Sequence, residues 1–569
     1  MAAVSETLRT AVGHHRAGRL AEAETLYCEI VRAEPAHADA LHLLGVAAHQ
    51  RGDHERAVEL IRRAVAAKPG FAPFHGNLGA AYRSLGRLDE AIASYEVALK
   101  LEPNAGGIHF NLGNVLMDRE AFDDASCAYR RAVELEPQSA EFWNGLGAAC
   151  LKRELFEEAV QAHRQAVELS PRDPDSRFRL GTSLRGAGRF SEAAAEFLRA
   201  VSLKPDYLDA HTNLGAVYDD LGDLNSAKRA YDRALMIDSC SPPARFNRAL
   251  ALLRKGEFHC GWAEYEWRWK HNGRPRQFAQ PVWDGCRKDG TVLVYSEQGI
   301  GDEILFASCV PDVLARADRC VLECDGRLMR LFARSFPEAD VIGKVGGGGT
   351  PPVIGSKVFD SQIAIGSLPK LFRSSIAAFP KGAYLRPDGR KVEEWRRRYV
   401  ALDRRLNVGI SWRGGKDPAV RRMRSTLLAQ WKPVLDFREI AFINLQYGEC
   451  RDEIRDVEHA GGRTIHDWEI GNPLGDLDEF AARVAALDLV ISVDNSTVHL
   501  AGALGIPVWV LLPGVSDWRW MIEGEDSLWY PRVRLFRTAR AETWNDVFRR
   551  VASELSSTLR ERIGVGGAE

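Results

Sequence analysis

The feature that most constrains the fold is a repeat with a constant step of 34 residues across the first half of this 569-residue chain. Three registers carry the repeat, and each holds one small or chain-breaking residue type. Their members are Gly45, Gly79, Gly113, Gly147, Gly181 and Gly215; Pro35, Pro69, Pro103, Pro137, Pro171 and Pro205; and Ala23, Ala57, Ala91, Ala125, Ala159, Ala193 and Ala227. Small residues let two antiparallel helices approach closely, and proline ends the second helix before the next pair begins. We therefore predict a stack of helix pairs, an α-solenoid, over residues 1–270.

The pattern resembles the tetratricopeptide repeat, which implies that this half binds a protein or peptide partner. One place in the repeat, two residues before the small residue of the first helix, often holds an amide. It is occupied by Asn77, Asn111, Asn213 and Asn247. If these side chains line the concave surface, they form a ladder that can hold an extended peptide backbone. The alternative is that asparagine is simply common at this place in such repeats, and Gly145 and Arg179 interrupt the series.

The last helical unit, Gly256–Lys270, departs from the pattern because it is crowded with tryptophan: Trp262, Trp267 and Trp269. We interpret this aromatic cluster as a cap that docks the solenoid onto the following domain. An exposed binding face is the alternative interpretation.

Beyond residue 270, strand-like and helix-like segments alternate, which predicts an α/β fold. The first strand, Thr291–Tyr295, leads into a turn with Gly299 and Gly301 and then into a helix. Ile304 stands where a dinucleotide fingerprint needs a small residue, and no P-loop Lys-Ser/Thr follows, so a nicotinamide enzyme is disfavoured. Asp302, at the mouth of the turn, is either a helix-capping acid or a catalytic base.

A second series of strands begins with Leu406–Trp412, which includes Ser411. It is followed by the basic turn Arg413–Lys416 and, further on, by Arg424. Arginine makes bidentate contacts with phosphate, and glycine lets backbone N–H groups approach, so this turn suits a diphosphate. A solvated basic loop is the alternative.

The stretch Leu487–Pro513 has the pattern strand, polar turn, helix, strand. Its turn consists of the helix-capping types Asp494, Asn495, Ser496 and Thr497. Free N–H groups at a helix start bind anions beyond the carboxyl ends of parallel strands. We expect this turn to meet the Arg413 turn at one sheet edge and to bind phosphate, with His499 pointing to the same place. The alternatives are an ordinary capped turn and a packing role for the histidine.

The strand pattern predicts two Rossmann-like halves, residues 271–387 and 388–569. The glycine-rich loop Gly343–Lys357 in the first half is either a segment that moves over a ligand or a surface insertion. The formal net charge of −2 argues against a general nucleic-acid binder. There is no secretory signal pattern, no apolar run long enough to span a membrane and no metal-binding spacing among the ten cysteines. We expect a cytoplasmic protein with reduced thiols and no bound metal.

Several motifs occur in a fixed order in the second half of the chain. They are SEQGIGDEILFASCVPD, SWRGG with the later Arg424-Ser425, SVDNSTVHLAGALGIPVWVLLP, DWRW and LWYPRVRLFR. Together with the repeats, they resemble the bacterial tetratricopeptide-repeat glycosyltransferases, whose catalytic half is similar to heptosyltransferases (family 9) of the GT-B type. The resemblance covers essentially the whole chain. It implies an α-solenoid followed by an α/β GT-B glycosyltransferase domain.

The resemblance also implies a reaction and its residues. A sugar passes from a nucleotide-sugar donor to an acceptor in the cleft between the two halves, without a metal or resident cofactor. Asp302 matches the base that takes the acceptor proton, and the stretch Asp494–His499 and the turn Arg413–Lys416 match the phosphate-binding segments. The implied acceptor is a protein held by the repeats, of the flagellin type. The alternative function is a non-catalytic repeat scaffold with a degenerate GT-B domain.

Overall fold

The computed structural model describes residues 2–273, 275–286, 288–344, 359–415, 424–461, 463–468, 475–539 and 542–563. The chain divides into two compact units, Met1–Leu221 and Gly222–Glu569. None of the helices in the described ranges is both long enough and apolar enough to cross a membrane. All ten cysteines are free thiols.

The first unit consists of consecutive antiparallel helix pairs. Its described helices are α1 (Ala2–Arg16), α2 (Leu20–Ala33), α3 (Ala38–Gln50), α4 (His54–Ala67), α5 (Ala72–Ser84), α6 (Leu88–Leu101), α7 (Gly106–Asp118), α8 (Phe122–Leu135), α9 (Ala140–Lys152), α10 (Phe156–Leu169), α11 (Pro174–Gly186), α12 (Phe190–Leu203) and α13 (Leu208–Asp220). The predicted helical solenoid is therefore confirmed for this unit.

The repeat glycines sit where the two helices of a pair touch. A Cβ built on Gly79 would lie 2.8 Å from the ring of Tyr95, and one built on Gly181 would lie 2.8 Å from the ring of Phe197. Because a real Cβ does not approach a ring so closely, only glycine allows the helices this separation. Gly79 and Gly181 thus make room for a large side chain on the second helix.

A further register of the repeat lies in the turn between the two helices of a pair, where the backbone is left-handed. Glycine fills this place at Gly18, Gly52, Gly86 and Gly188. Two neighbouring pairs instead carry glutamate, Glu120 at φ 63° and Glu154 at φ 58°. The left-handed conformation costs a residue with a Cβ about 1–2 kcal/mol. These two turns are therefore strained.

The second unit begins with helices that still follow the repeat pattern. They are α14 (Leu224–Ile237), α15 (Pro242–Lys255), α16 (Phe258–Tyr265) and α17 (Arg268–Asn272). Their packing is different, because Trp262 is only 2% exposed and belongs to the same hydrophobic core as the α/β part. Its ring meets Trp518 edge-on at 5.4 Å, and its Nε1 donates a hydrogen bond to the carbonyl of Arg373 at 2.9 Å. This tryptophan docks the last helices onto the α/β part, and the second compact unit begins at Gly222.

The first lobe of the α/β part is built on a parallel sheet of four described strands in the order β3-β2-β1-β4. Its elements are β1 (Lys288–Tyr295), α18 (Ile300–Ala307), α19 (Val310–Leu314), β2 (Ala317–Cys324), α20 (Met329–Ser335), β3 (Ala339–Gly343), β4 (Ser361–Ala364) and α21 (Leu368–Phe372). The predicted loop Gly343–Lys357 lies almost entirely outside the described residues. A connecting helix, α22 (Gly389–Val400), leads to the second lobe.

The second lobe has a parallel sheet of six described strands in the order β10-β9-β8-β5-β6-β7. Its elements are β5 (Leu406–Ser411), α23 (Lys432–Leu435), β6 (Ile440–Asn444), α24 (Arg451–Gly461), β7 (Ile465–His466), α25 (Leu477–Ala485), β8 (Leu489–Val493), α26 (Ser496–Ala503), β9 (Val508–Leu512), β10 (Val533–Arg537) and α27 (Trp544–Ile563). Counted within the lobe, this is the 3-2-1-4-5-6 order of a doubly wound sheet, and the first lobe has the shorter order 3-2-1-4. Two parallel Rossmann-like sheets are therefore present, as predicted.

The strand order of a doubly wound sheet places its ligand site where the order reverses, beyond the carboxyl ends of the strands. In the first lobe the reversal lies between β1 and β4, and in the second lobe it lies between β5 and β8. Asp302 lies in the first turn of α18, which follows β1, and the turns after β5 and β8 contain Arg413 and Asp494. The topology therefore brings the predicted site residues to the reversal points.

Candidate functional site

A cleft of about 450 Å³ lies between the two lobes of the second unit. The first lobe contributes the turn and start of α18, and the second lobe contributes the turn and start of α26. Predicted site residues that line it are Gly299, Gly301, Asp302, Arg424, Asp494, Asn495, Ser496 and His499. The structure thus gathers most of the predicted residues around one space.

The two turns of the second lobe are bound to each other, as expected from the sequence. Asn495 donates from Nδ2 to the Ser411 hydroxyl at 2.8 Å and to the Arg413 carbonyl at 3.1 Å. Its Oδ1 accepts from the backbone N–H of Thr497 at 3.0 Å, which caps α26. A Cβ built on Gly414 would lie 2.6 Å from the carbonyl oxygen of Asp494, so this position needs glycine. The predicted convergence of these turns is confirmed.

The starts of α18 and α26 adjoin each other across the lobes. A Cβ built on Gly301 would lie 3.1 Å from the His499 ring and 3.8 Å from the Cα of Ser496. Each helix start carries partial positive charge from N–H groups without intrahelical acceptors. Two such starts at one cleft make it favourable for an anion.

A chain of ion pairs crosses the cleft from one lobe to the other. Arg424 bridges Asp494 and Asp517, with N–O distances of 2.9 Å to each carboxylate. Asp517 also holds Arg519 at 2.6 Å, and Arg519 in turn is paired through a short contact with Asp302 of the first lobe. Two guanidinium groups are thus shared among three carboxylates.

The protonation states in this network follow from its charges. Burial alone would raise the pKa of Asp517, but the guanidinium groups of Arg519 and Arg424 hold that pKa far below its ordinary value. Burial would lower the pKa of Arg519, and the carboxylates of Asp302 and Asp517 raise it well above its ordinary value instead. The central members of the network are therefore charged at neutral pH.

His499 has a double role in packing and in lining the cleft. Its Nδ1 lies 3.0 Å from the Tyr530 hydroxyl, and its ring stacks on Trp520 at 5.5 Å. Burial lowers the pKa of His499 to about 4, although nearby Asp494 opposes the shift. At neutral pH the imidazole is uncharged, so it supplies shape and a hydrogen bond rather than positive charge.

Some predicted residues lie elsewhere. The side chain of Arg413 pairs with Glu453 at 2.9 Å and donates to the carbonyl of Glu449 at 2.5 Å. It lines a neighbouring pocket of about 360 Å³ with Gly415 and Gly448. Ser411 and Thr497 are buried, and Lys416 lies outside the described residues.

Other residues of the cleft were not singled out from the sequence. Arg327 and Lys344 also line it, on the side of the first lobe. Arg519 belongs to the DWRW motif, which gave no hint of its pairing with Asp302. The sequence gives no signal that Arg327 and Lys344 line the cleft or that Arg519 pairs with Asp302, because these residues come from distant segments.

Glu297 and Gln298 have a structural explanation that the sequence did not supply. Arg268 of α17 makes a bidentate pair with Glu297, at 2.7 and 3.1 Å. The Tyr265 hydroxyl and the Gln298 amide are hydrogen-bonded at 3.2 to 3.3 Å. The last helices therefore hold the turn that ends at Gly299 and leads into α18, where Gly301 and Asp302 lie.

The asparagines of the repeats have different surroundings. Asn77 donates to the ring nitrogen of His42 at 2.8 Å, Asn213 donates to the carbonyl of Asp209 in its own helix, and Asn111 is exposed. Asn247 belongs to the second compact unit. A groove of about 420 Å³ in the first unit is lined by Phe110, Asn114, Tyr129, Asn144, Gly145 and Arg179, where the asparagine series is interrupted. Peptide binding by these asparagines remains a prediction.

No cluster of three or more His, Cys, Asp or Glu side chains that could hold a metal ion occurs within the described ranges.

Comparison with known families identifies the repeats. Models described as "Tetratricopeptide repeat" match residues 9–72, 110–174 and 208–239, and a model described as "TPR repeat" matches residues 79–119 and 183–222. The first part of the chain is therefore made of tetratricopeptide repeats. The predicted resemblance is confirmed for this part.

The individual relatives each match only part of this chain. The chain is 35% identical over 327 residues to Protein FlbA of Caulobacter vibrioides, which covers 55% of this chain and 54% of that protein. The match thus spans about half the length of this relative. Among solved structures, YrrB, described as a TPR protein with an unusual peptide-binding site, is 26% identical and covers 33% of this chain and 96% of its own, at a TM-score of 0.30. MamA from Desulfovibrio magneticus RS-1 is 22% identical, and the match covers 30% of this chain and 96% of the MamA chain, at a TM-score of 0.29.

Proposed function

We propose that this protein is a glycosyltransferase of the GT-B type, which moves a sugar from a nucleotide-sugar donor to a protein held by the repeats. The observation that carries the proposal is the cleft where two helix starts meet three guanidinium groups and the carboxylate of Asp302, among other acids, at the reversal points of two Rossmann-like sheets. Phosphate is the donor group for which such a place is suited.

The donor's leaving phosphate would lie at the start of α26, beside Asn495 and Ser496. Cleavage of the bond between the sugar and the phosphate leaves additional negative charge on the phosphate. Arg424, which lines the cleft, and the partial positive charge of the helix start compensate that charge without reorganisation. This is the main way in which the chain's own residues accelerate the reaction.

Asp302 would serve as the base. It lies at the start of α18, on the opposite lobe from the α26 turn, so an acceptor hydroxyl between them has a carboxylate on one side and the sugar on the other. The carboxylate takes the hydroxyl proton as the oxygen bonds to the sugar, and the bonding electrons of the broken bond leave with the phosphate. No further reactant is needed for this balance.

The acceptor is proposed to be a protein because tetratricopeptide repeats precede the α/β part. Repeats of this kind offer extended surfaces to peptides. A flagellin-like protein is the acceptor that the sequence resemblance suggests.

The first experiment is a thermal-shift and donor-hydrolysis screen of the full chain with UDP-, ADP- and GDP-hexoses and CMP-nonulosonic acid. We expect the sugar donors of one nucleotide to raise the melting temperature of the protein. We also expect these donors to be hydrolysed slowly, which releases the free nucleotide. If none of the donors or free nucleotides does so, the scaffold function is favoured instead.

The second experiment tests the base. Asp302→Asn should abolish transfer to a captured acceptor while nucleotide binding persists. The matched control is Asp318→Asn, an exposed acid of β2 in the same lobe, which should leave transfer unchanged. Acceptors are identified by capture on the full chain and by mass spectrometry of the added sugar. Transfer that survives Asp302→Asn at the original rate would contradict the assignment.

A further inference from the structure

The pairing of Asp302 with Arg519 bears on the proposed base. The two side chains are 23% and 15% exposed, so their attraction is stronger than that of a surface pair. The guanidinium occupies one oxygen of the carboxylate that an acceptor hydroxyl would have to approach. In the structure, the proposed base Asp302 is therefore paired with Arg519.

The rest of the Arg519 side chain is firmly held. Its NH1 pairs with Asp517 at 2.6 Å, the Arg519 backbone N–H donates to the same carboxylate oxygen at 3.1 Å, and the guanidinium stacks on Trp518 at 4.5 Å. Its Nε is buried without a hydrogen-bond partner in the described structure. Only the NH2 group reaches across to Asp302.

The other charged groups around Arg519 limit where that NH2 group can turn. Asp517 is paired on both sides, with Arg519 and Arg424, and Asp494 forms an ion pair with Arg424 at 2.9 Å, although its Oδ2 accepts no hydrogen bond in the described structure. The hydroxyl of Tyr265 is engaged with Gln298. A phosphate at the start of α26 would carry enough negative charge to accept a hydrogen bond from this NH2 group.

We propose that Arg519 is a further phosphate-binding residue, whose NH2 group exchanges Asp302 for the leaving phosphate of the donor. This inference rests on the proposed function and adds the order in which the donor phosphate and the acceptor proton are bound. Before the donor binds, the guanidinium occupies the base. Once the phosphate takes the guanidinium, Asp302 accepts the proton of the acceptor hydroxyl, and Arg519 compensates the charge that arrives on the phosphate when the bond to the sugar breaks.

The test is calorimetric titration of the full chain with inorganic pyrophosphate. Since the phosphate must displace a carboxylate, Asp302→Asn should tighten binding about tenfold, the worth of one charge-assisted hydrogen bond. Asp318→Asn is the matched control, because Asp318 is an exposed acid of the same lobe that does not line the cleft. It should change binding by less than about threefold, as a general effect of removed charge.

The decisive measurement is a double-mutant cycle. In the background Arg519→Gln, which removes the positive charge, Asp302→Asn should no longer tighten binding. Melting curves of each variant verify that it is folded.

The outcomes separate the two proposals. If the wild-type protein binds neither pyrophosphate nor UDP, ADP, GDP or CMP, the proposed function and this inference both fall. If it binds but Asp302→Asn acts equally with and without Arg519, or no more than Asp318→Asn, only the exchange is refuted.

Discussion

The close approach of Gly414 to Asp494 gives a direct prediction about the donor site. In Gly414→Ala, the new Cβ would stand 2.6 Å from the Asp494 carbonyl oxygen, whereas ordinary contacts begin at 3.4 Å. The obstacle is backbone, which cannot rotate away. The turn after β5 must therefore move by about 0.8 Å from the turn after β8, at the expense of the hydrogen bonds that Asn495 makes.

Overpacking of this kind costs about 1–3 kcal/mol of stability, and a displacement approaching 1 Å at a site costs up to about a hundredfold in rate. We expect Gly414→Ala to lower the melting temperature of the second unit by a few degrees and to weaken pyrophosphate binding at least about tenfold, measured by calorimetry. The control is Gly299→Ala, where the nearest atom to a new Cβ is Asp302 Oδ2 at an ordinary 3.8 Å. If the two variants bind alike, the close approach does not matter and the reasoning fails.

Three further predictions follow from burial, docking and backbone conformation. Burial holds the pKa of His499 near 4, so the unfolded chain binds more protons than the folded chain between pH 6.5 and 4. This side chain therefore lowers the free energy of unfolding by up to about 3 kcal/mol as the pH falls through that window. His499→Gln should flatten the pH dependence of the melting temperature. Trp262→Ala should destabilise the second unit by about 3–5 kcal/mol in calorimetric scans, since it leaves a cavity beneath α16. Glu120→Gly and Glu154→Gly should each stabilise the first unit by about 0.5–1 kcal/mol in urea unfolding, because they relieve left-handed strain.

Each of these has its own contrary result. An unchanged acid dependence in His499→Gln would mean that the imidazole is charged in the folded protein. Trp143→Ala is the comparison for Trp262→Ala, because Trp143 is only partly buried in the first unit, and equal losses would deny that Trp262 docks the helices. Destabilisation by both glycine variants would show that the glutamate side chains make contacts worth more than the strain.

Much of the site was predictable because it depends on local rules. Asn495 and Ser496 are helix-capping types directly after a buried strand, and a parallel sheet puts the ends of β5 and β8 at one edge whatever the side chains are. The repeat was equally predictable, since glycine facing a ring such as Tyr95 leaves a periodic mark in the sequence. Such features require no knowledge of distant partners.

The rest depends on contacts between distant segments. Asp302 and Arg519 belong to different lobes, so no spacing in the sequence relates them. The direction of the Arg413 side chain is set by Glu453 in a later helix. The boundary between compact units was also hidden, because the repeat continues past Gly222 while the packing changes when Trp262 and its neighbours meet the α/β part.

The inclusion of α14 to α17 in the second unit matters for dissecting the protein into fragments. A fragment that starts at residue 271 would contain every strand of both sheets, yet it would lack Tyr265 and Arg268, which hold Gln298 and Glu297 beside the Asp302 turn. It would also expose the apolar surface that Trp262 covers. A cut between Leu221 and Gly222 keeps these supports with the cleft, so inactivity of the shorter fragment would reflect its lost helices rather than its chemistry.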